Sequence, residues 1–149
     1  MEIITGSCRF GLWFVRVQWS DTTIYKVRFS ATGIPGKVPD LIRQYCAGHV
    51  VCPERLESVA THEDTVYSRI YQAVRQVPYG STTTYGEIAA IVRTSPRVVG
   101  QAMSRNPTPL VIPCHRVLAA HGIGGFSPEV AIKESLLTME KKGLQKVKR

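Results

Sequence analysis

Apolar and polar residues alternate along RFGLWFVRVQW, residues 9–19, placing Trp13, Val15, Val17 and Trp19 on one side of the chain. A period of two is that of a half-buried strand, so this stretch reads as one strand. Asp21 and Thr22 form a turn, and residues 23–29 make a second strand, giving a hairpin. Gly33, Pro35, Gly36 and Pro39 mark a loop. Residues 40–47 then read as a short helix ended by Gly48.

Past about residue 60 the period becomes helical. In residues 64–77, Tyr67, Ile70, Tyr71 and Val74 share one helical face, and Pro78, Tyr79 and Gly80 end the run. Thr84 with Glu87 three residues on is a capping box, opening a helix through Val92. Ser95 and Pro96 supply an N-cap and a proline at the first helical position. That helix runs to about Arg105, where Asn106, Pro107 and Pro109 stop it. Ser127-Pro128 repeats the start signal for a last helix to about Lys142, with Gly143 as its stop. There are no repeats and no low-complexity segments. The pattern predicts an α+β chain, divided into a β-containing part, residues 1–60, and a helical part, residues 61–149.

Two short helices, 84–92 and 96–105, joined by a tight connection resemble a helix-turn-helix. The second carries Arg97, Gly100, Ala102, Ser104 and Arg105. Small residues there allow either close approach to a nucleic-acid groove or tight packing of one helix on another.

Composition narrows the class. Hydrophobic residues make up 44% of 149, enough for a folded core. No apolar run reaches the roughly 18 residues that span a membrane. MEIITGSCRFGLWF lacks a basic segment followed by an apolar one, so a cytoplasmic protein without a signal peptide is expected. The net charge of +8 favours a polyanionic partner, nucleic acid first, though a basic protein without one has the same balance. Cys46, His49 and Cys52 cluster in YCAGHVVCP, but the spacing is not that of a zinc pair and no fourth ligand is evident, so no metal is expected. A Cys46–Cys52 disulfide is open on sequence grounds.

The chemistry gathers in VIPCHRV, residues 111–117. A thiolate is a nucleophile, and an imidazole lowers the cost of forming one. On a strand, Cys114 and His115 would point to opposite faces, so direct contact is not assured and a bound water could join them. Pro113 cannot donate to a ladder and points to a bent, irregular segment. A third group should hold the histidine. Ile132, Leu136 and Glu140 lie four residues apart on one stripe of the last helix, with Met139 beside them. Glu134 falls roughly 200° around the helix from Ile132. Spacing therefore selects Glu140 as partner of His115, against the alternative of a carboxylate at the margin of the core.

VPYGSTTTYGEIAAI, RVVGQAMSRNPTPLVIPCHRV and KESLLTME, taken in order, resemble segments of the O6-alkylguanine-DNA alkyltransferases, suicide repair proteins for alkylated guanine. The resemblance covers most of residues 64–143, and the N-terminal half follows the family only in layout. It implies an N-terminal ribonuclease H-like domain with a small antiparallel sheet and a C-terminal winged helix-turn-helix domain. It also implies double-stranded DNA containing O6-alkylguanine as substrate and a single turnover per molecule. By resemblance, Cys114 is the alkyl acceptor, His115 takes its proton through a water, and Glu140 orients His115. Asn106 ties the recognition-helix region to the active segment. Tyr85 helps rotate the nucleotide and assists the leaving guanine. Arg97 is the finger that fills the vacated stack, on a DNA-binding helix that includes Gly100, Ala102 and Ser104. Pro109, Val117, Phe126 and Ser127 line the guanine pocket. No cofactor is required, and the protein is expected to act as a monomer.

The chain departs from the family at Phe126, where many members carry tyrosine, and at Pro128-Glu129, where a glycine-rich loop is common. A second reading is a non-reacting sensor that binds alkylguanine, but such proteins lack the reactive cysteine that Cys114 supplies. A sequence-specific helix-turn-helix regulator would leave Cys114, His115 and Glu140 without a role.

Overall fold

The computed structural model describes residues 2–147. Three antiparallel strands, β1 (Ile4–Phe10), β2 (Trp13–Ser20) and β3 (Thr23–Ser30), open the chain. Helix α1 (Asp40–Cys46) follows, and a two-residue strand, β4 (Glu57–Ser58), pairs parallel to the start of β3. Helix α2 (Val66–Arg75), strand β5 (Thr83–Thr84), and helices α3 (Tyr85–Val92) and α4 (Pro96–Ser104) form the second half. Strand β6 (Val117–Leu118) pairs with β5, and the long helix α5 (Val130–Val147) closes the molecule. The architecture is α+β, a small sheet with helices.

The expected single strand over 9–19 is two strands. Gly11 takes a positive φ of 58° and reverses the chain between Phe10 and Trp13. The earlier part of β1, Ile4–Cys8, carries too few large apolar residues to show an alternating pattern. The β2–β3 hairpin turns at Asp21 and Thr22 as expected, with Asp21 at φ 52°. Val15, Val17, Val27 and Phe29 face inward.

The caps at Thr84 and Ser95 form: each hydroxyl accepts the backbone N–H three residues on, from Glu87 and Val98. The helix read over 64–77 is shorter, with Thr65 as its cap. Two expectations for the last helix are corrected. The Ser127–Pro128 bond is cis, and the helix starts at Val130. Gly143 lies inside the helix, which continues to Val147. A Cβ at Gly143 would fall 2.5 Å from the Tyr79 hydroxyl, so glycine here serves a close approach and not a stop. The cysteines are free, which removes the Cys46–Cys52 disulfide. Cys46 is buried on α1, and Cys8 of β1 packs against the same core cluster.

Two apolar clusters hold the fold. One packs the inner face of the sheet against Ile42 and Tyr45 of α1 and Ile132 and Leu136 of α5. The other joins Ile70 and Val74 of α2, Ile88 of α3 and Val99 of α4. The active segment runs along the seam. Val111 belongs to the first cluster, and Ile112 and Val117 to the second. All three are 0% exposed, and burying each contributes about 1.5–3 kcal/mol. That anchoring is large enough to hold an irregular backbone between them.

Candidate active site

Proline at 113 dictates the local shape. Pro113 sits at φ −77°, ψ 67°, and the Cys114 N–H donates to the Ile112 carbonyl at 2.7 Å across it, a three-residue turn. Cys114–Arg116 then forms one 3₁₀ turn, so Cys114 and His115 are not on the strand that would have set them on opposite faces. Cys114 lies against a cavity of about 260 Å³, while His115 is buried on the side of α5.

His115 Nε2 is 2.6 Å from Glu140 Oε2, and both side chains are 1% exposed. The carboxylate is crowded with donors. Oε2 also accepts from the Tyr45 hydroxyl at 2.5 Å and Arg116 Nη2 at 3.0 Å. Oε1 accepts from the Gly80 N–H at 2.8 Å and Arg116 Nε at 3.0 Å. Burial pushes the Glu140 carboxyl up, but the hydrogen bonds and charges of His115 and Arg116 outweigh it and bring it to about 2. Arg116 is itself fixed by Glu54 Oε2 at 2.6 Å and the Val77 carbonyl at 2.9 Å. Burial holds His115 below the usual imidazole range, although Glu140 pulls the other way. A neutral ring next to an ionised carboxylate carries its proton on Nε2. Nδ1 is then the lone-pair nitrogen, buried and without a hydrogen-bond partner among the described residues.

Cys114 is 8% exposed, and burial raises its thiol. A hydrogen bond from Asn106 and the charge of Lys133 oppose that rise. The thiol therefore rests protonated at neutral pH and needs a base to react.

Asn106 holds the segment in place. Its Nδ2 donates to the Ile112 carbonyl at 2.9 Å, and its Oδ1 accepts from the Thr108 N–H at 3.0 Å. The next residue reaches the sheet: Pro107 O accepts from the Val27 N–H at 2.8 Å. Tyr85, at the start of α3, is half-buried on the cavity wall, and burial raises its hydroxyl.

The structure sorts the other sequence-selected residues. Gly100, Ser104, Pro109, Phe126 and Ser127 line the cavity with Cys114. A Cβ at Gly100 would meet nothing within 4 Å, so this glycine opens toward the cavity and is not forced by helix packing. Arg97 is exposed on the first turn of α4. Two further selected residues are buried. Ala102 is 0% exposed in the helical core, with its side chain turned away from the surface. Val117 is also 0% exposed in that core, and its carbonyl accepts from Lys133 Nζ.

Three residues were not selected from sequence. Tyr45 comes from α1, far away in the chain, and nothing in its local pattern ties it to His115. Arg116 adjoins the reactive pair, and its charge inside an apolar run was the available signal. Lys133 lies three residues before Leu136 and seven before Glu140, on the same inward face. It is 1% exposed, and its Nζ donates to the Val117 carbonyl at 2.7 Å. No group of three or more potential metal-ligating side chains forms among the described residues.

Residues 65–142 match the family described as 6-O-methylguanine DNA methyltransferase, DNA binding domain. The methylated-DNA–protein-cysteine methyltransferase of Sulfolobus acidocaldarius is 44% identical over 84 residues, 56% of this chain and 54% of its own. The chain thus spans about half the length of that curated relative. The O6-methylguanine-DNA methyltransferase structure from the hyperthermophilic archaeon Pyrococcus kodakaraensis is 25% identical, with a TM-score of 0.71 over 91% of this chain and 97% of that one. Mycobacterium tuberculosis OGT in complex with DNA is 25% identical, with a TM-score of 0.74 over 92% of each chain.

Proposed function

The chain belongs to the 6-O-methylguanine DNA methyltransferase family, and from that premise we propose that it repairs O6-alkylguanine in duplex DNA by moving the alkyl group irreversibly to its own Cys114. The observation that carries the reading is a buried thiol at a cavity, followed in the chain by an imidazole whose tautomer an ionised carboxylate fixes.

In this reading the target nucleotide is turned out of the duplex into the cavity, at a cost of a few kcal/mol in lost stacking and pairing. Contacts from α4, with Arg97 filling the vacated place and Ser104 and Gly100 allowing close approach, offset that cost. Tyr85 helps rotate the nucleotide, and Pro109, Phe126 and Ser127 surround the guanine. The thiol proton of Cys114 passes through a water to His115 Nδ1. Sulfur forms its bond to the alkyl carbon as the bond from that carbon to O6 breaks. The electron pair stays with guanine, which Tyr85 helps protonate. The product thioether is stable, so each molecule reacts once. Asn106 keeps the active segment in register, and Glu140 holds His115 throughout.

We take residues 1–60 as the sheet-bearing domain and 61–149 as the DNA-binding and transfer domain, acting as a monomer in the cytoplasm. No helix among the described residues is long and apolar enough to cross a membrane. The test is Cys114→Ala. It should bind duplex DNA containing O6-methylguanine as the parent does and accept no alkyl group. Stoichiometric transfer to Cys114→Ala would refute the assignment of the acceptor.

A further inference from the structure

Strands β1, β2 and β3 contain no aspartate or glutamate. They carry four cations: Arg9, Arg16, Lys26 and Arg28. Each adjoins an inward-facing residue (Phe10, Val15 and Val17, Val27, or Phe29), so all four point to the face opposite the core. The register sets Arg16 directly across from Arg28 and Lys26 across from Gln18. Like charges placed opposite each other destabilise a sheet by a few tenths of a kcal/mol or more. Among the described residues no carboxylate forms an ion pair with any of the four. Arg16 is instead held by the Thr32 carbonyl at 2.9 Å and hydroxyl at 2.6 Å, and Arg9 lies over the Phe14 ring at 5.0 Å. A sheet face that keeps facing cations without a counter-charge suits a polyanion from outside.

The place of this face decides which polyanion. Lys26 and Arg28 line two shallow concavities. One extends across the sheet to Arg16 and Gln18. The other extends to Asn106, Pro109 and Ser127, which also line the Cys114 cavity. The second concavity therefore adjoins the cavity of the reactive cysteine through these three shared residues. The Val27 N–H to Pro107 carbonyl bond, 2.8 Å long, pins β3 to this rim between Lys26 and Arg28. A strand whose base entered the cavity on this side would bring its phosphates to that rim.

We propose that the outer face of β2 and β3, led by Lys26 and Arg28, binds backbone phosphates of the DNA strand that presents the flipped nucleotide, as a second contact surface beside the helix-turn-helix. The proposal rests on the repair reading above. The face supplies charge without reading sequence, since a lysine and an arginine on an open sheet meet phosphate and not base edges.

The test measures affinity for a duplex containing O6-methylguanine, just long enough for one protein, across a salt series. Cys114→Ala serves as the background so that equilibrium is reached. Each phosphate contact contributes about 0.9 to the slope of log K against log salt. Removing both charges with Lys26→Gln and Arg28→Gln should lower the slope by about 2, roughly a tenfold smaller loss of affinity between 50 and 200 mM salt. The charge-keeping pair Lys26→Arg and Arg28→Lys should retain the parent slope, which separates charge from folding. Lys141→Gln with Lys142→Gln on α5 should also retain it. An unchanged slope in the glutamine pair overturns the proposal. So does a fall seen only on long duplexes, which would mean that the face touches a neighbouring protein. Reaction of the parent with free O6-benzylguanine, which has no phosphate, reports the repair chemistry separately. Its absence would strike the repair reading while the salt slope still judges this one.

Discussion

Tyr45→Phe removes one oxygen from the centre of the site and leaves the ring that packs against Tyr79 and His115. The hydroxyl is 2.5 Å from Glu140 Oε2 and 3.2 Å from His115 Nε2, and the residue is 1% exposed. Burial, reinforced by the Glu140 charge, keeps the phenol protonated far above neutral pH, so it donates to the carboxylate. A hydrogen bond to a charged group contributes about 1.5–3 kcal/mol. Its loss should lower the melting temperature by about 3–12 °C in a chain of this size. The same energy corresponds to about 1–2 pKa units on Glu140, which still leaves a carboxyl near 2 ionised at pH 7. With one donor fewer, the carboxylate holds an imidazolium more strongly, so the His115 pKa should rise. The groups facing His115 besides Tyr45 are Glu140, Arg116 and Glu54, and all of them remain. Stopped-time assays with O6-benzylguanine across pH should show the acid limb of the rate profile moved to higher pH. A residue that only packs would lower stability without moving that limb. An unmoved limb together with an unchanged melting temperature would refute the claim that Tyr45 holds the carboxylate.

Glu140→Gln should slow transfer strongly and destabilise the fold by about 3–5 kcal/mol, because it leaves Arg116 with Glu54 as its one carboxylate partner. Exposed Glu134→Gln should leave both unchanged, and kinetics with chemical denaturation on the pair would check this. Stability should fall on acidification. His115, lowered in the fold, gains its proton more readily when unfolded, so stability is lost as pH drops below about 6.5. Glu140, depressed from 4.5 to about 2, adds a further loss of about 3 kcal/mol between those values, measurable by denaturant titration at each pH. Gly80→Ala should cost about 2–3 kcal/mol in the same assay, since Gly80 has φ 82° and a Cβ would come 2.1 Å from Leu144 Cδ1.

Much of the site could be read from the chain because its signals are local. The caps at Thr84 and Ser95 are set by side chains reaching three residues, and they form as read. The stripe through Ile132, Leu136 and Glu140 is a helical period, and it chose the carboxylate that meets His115 over exposed Glu134. What escaped depends on contacts between distant segments. Tyr45 reaches His115 across 70 residues, and Arg116 reaches Glu54 across 62. Gly143 looked like a helix end because glycine often is one, but its missing side chain makes room for Tyr79. Ala102 and Gly100 look alike in sequence, yet the helix turns one into the core and the other to the cavity.

The most direct measurement is the intact mass of the protein after mixing with duplex DNA that carries O6-methylguanine. One added methyl, mapped by peptide fragmentation to Cys114 and stopping at one per molecule whatever the excess of DNA, is the result expected. Selective binding to the damaged duplex with no change in mass would contradict transfer and leave a non-reacting damage sensor.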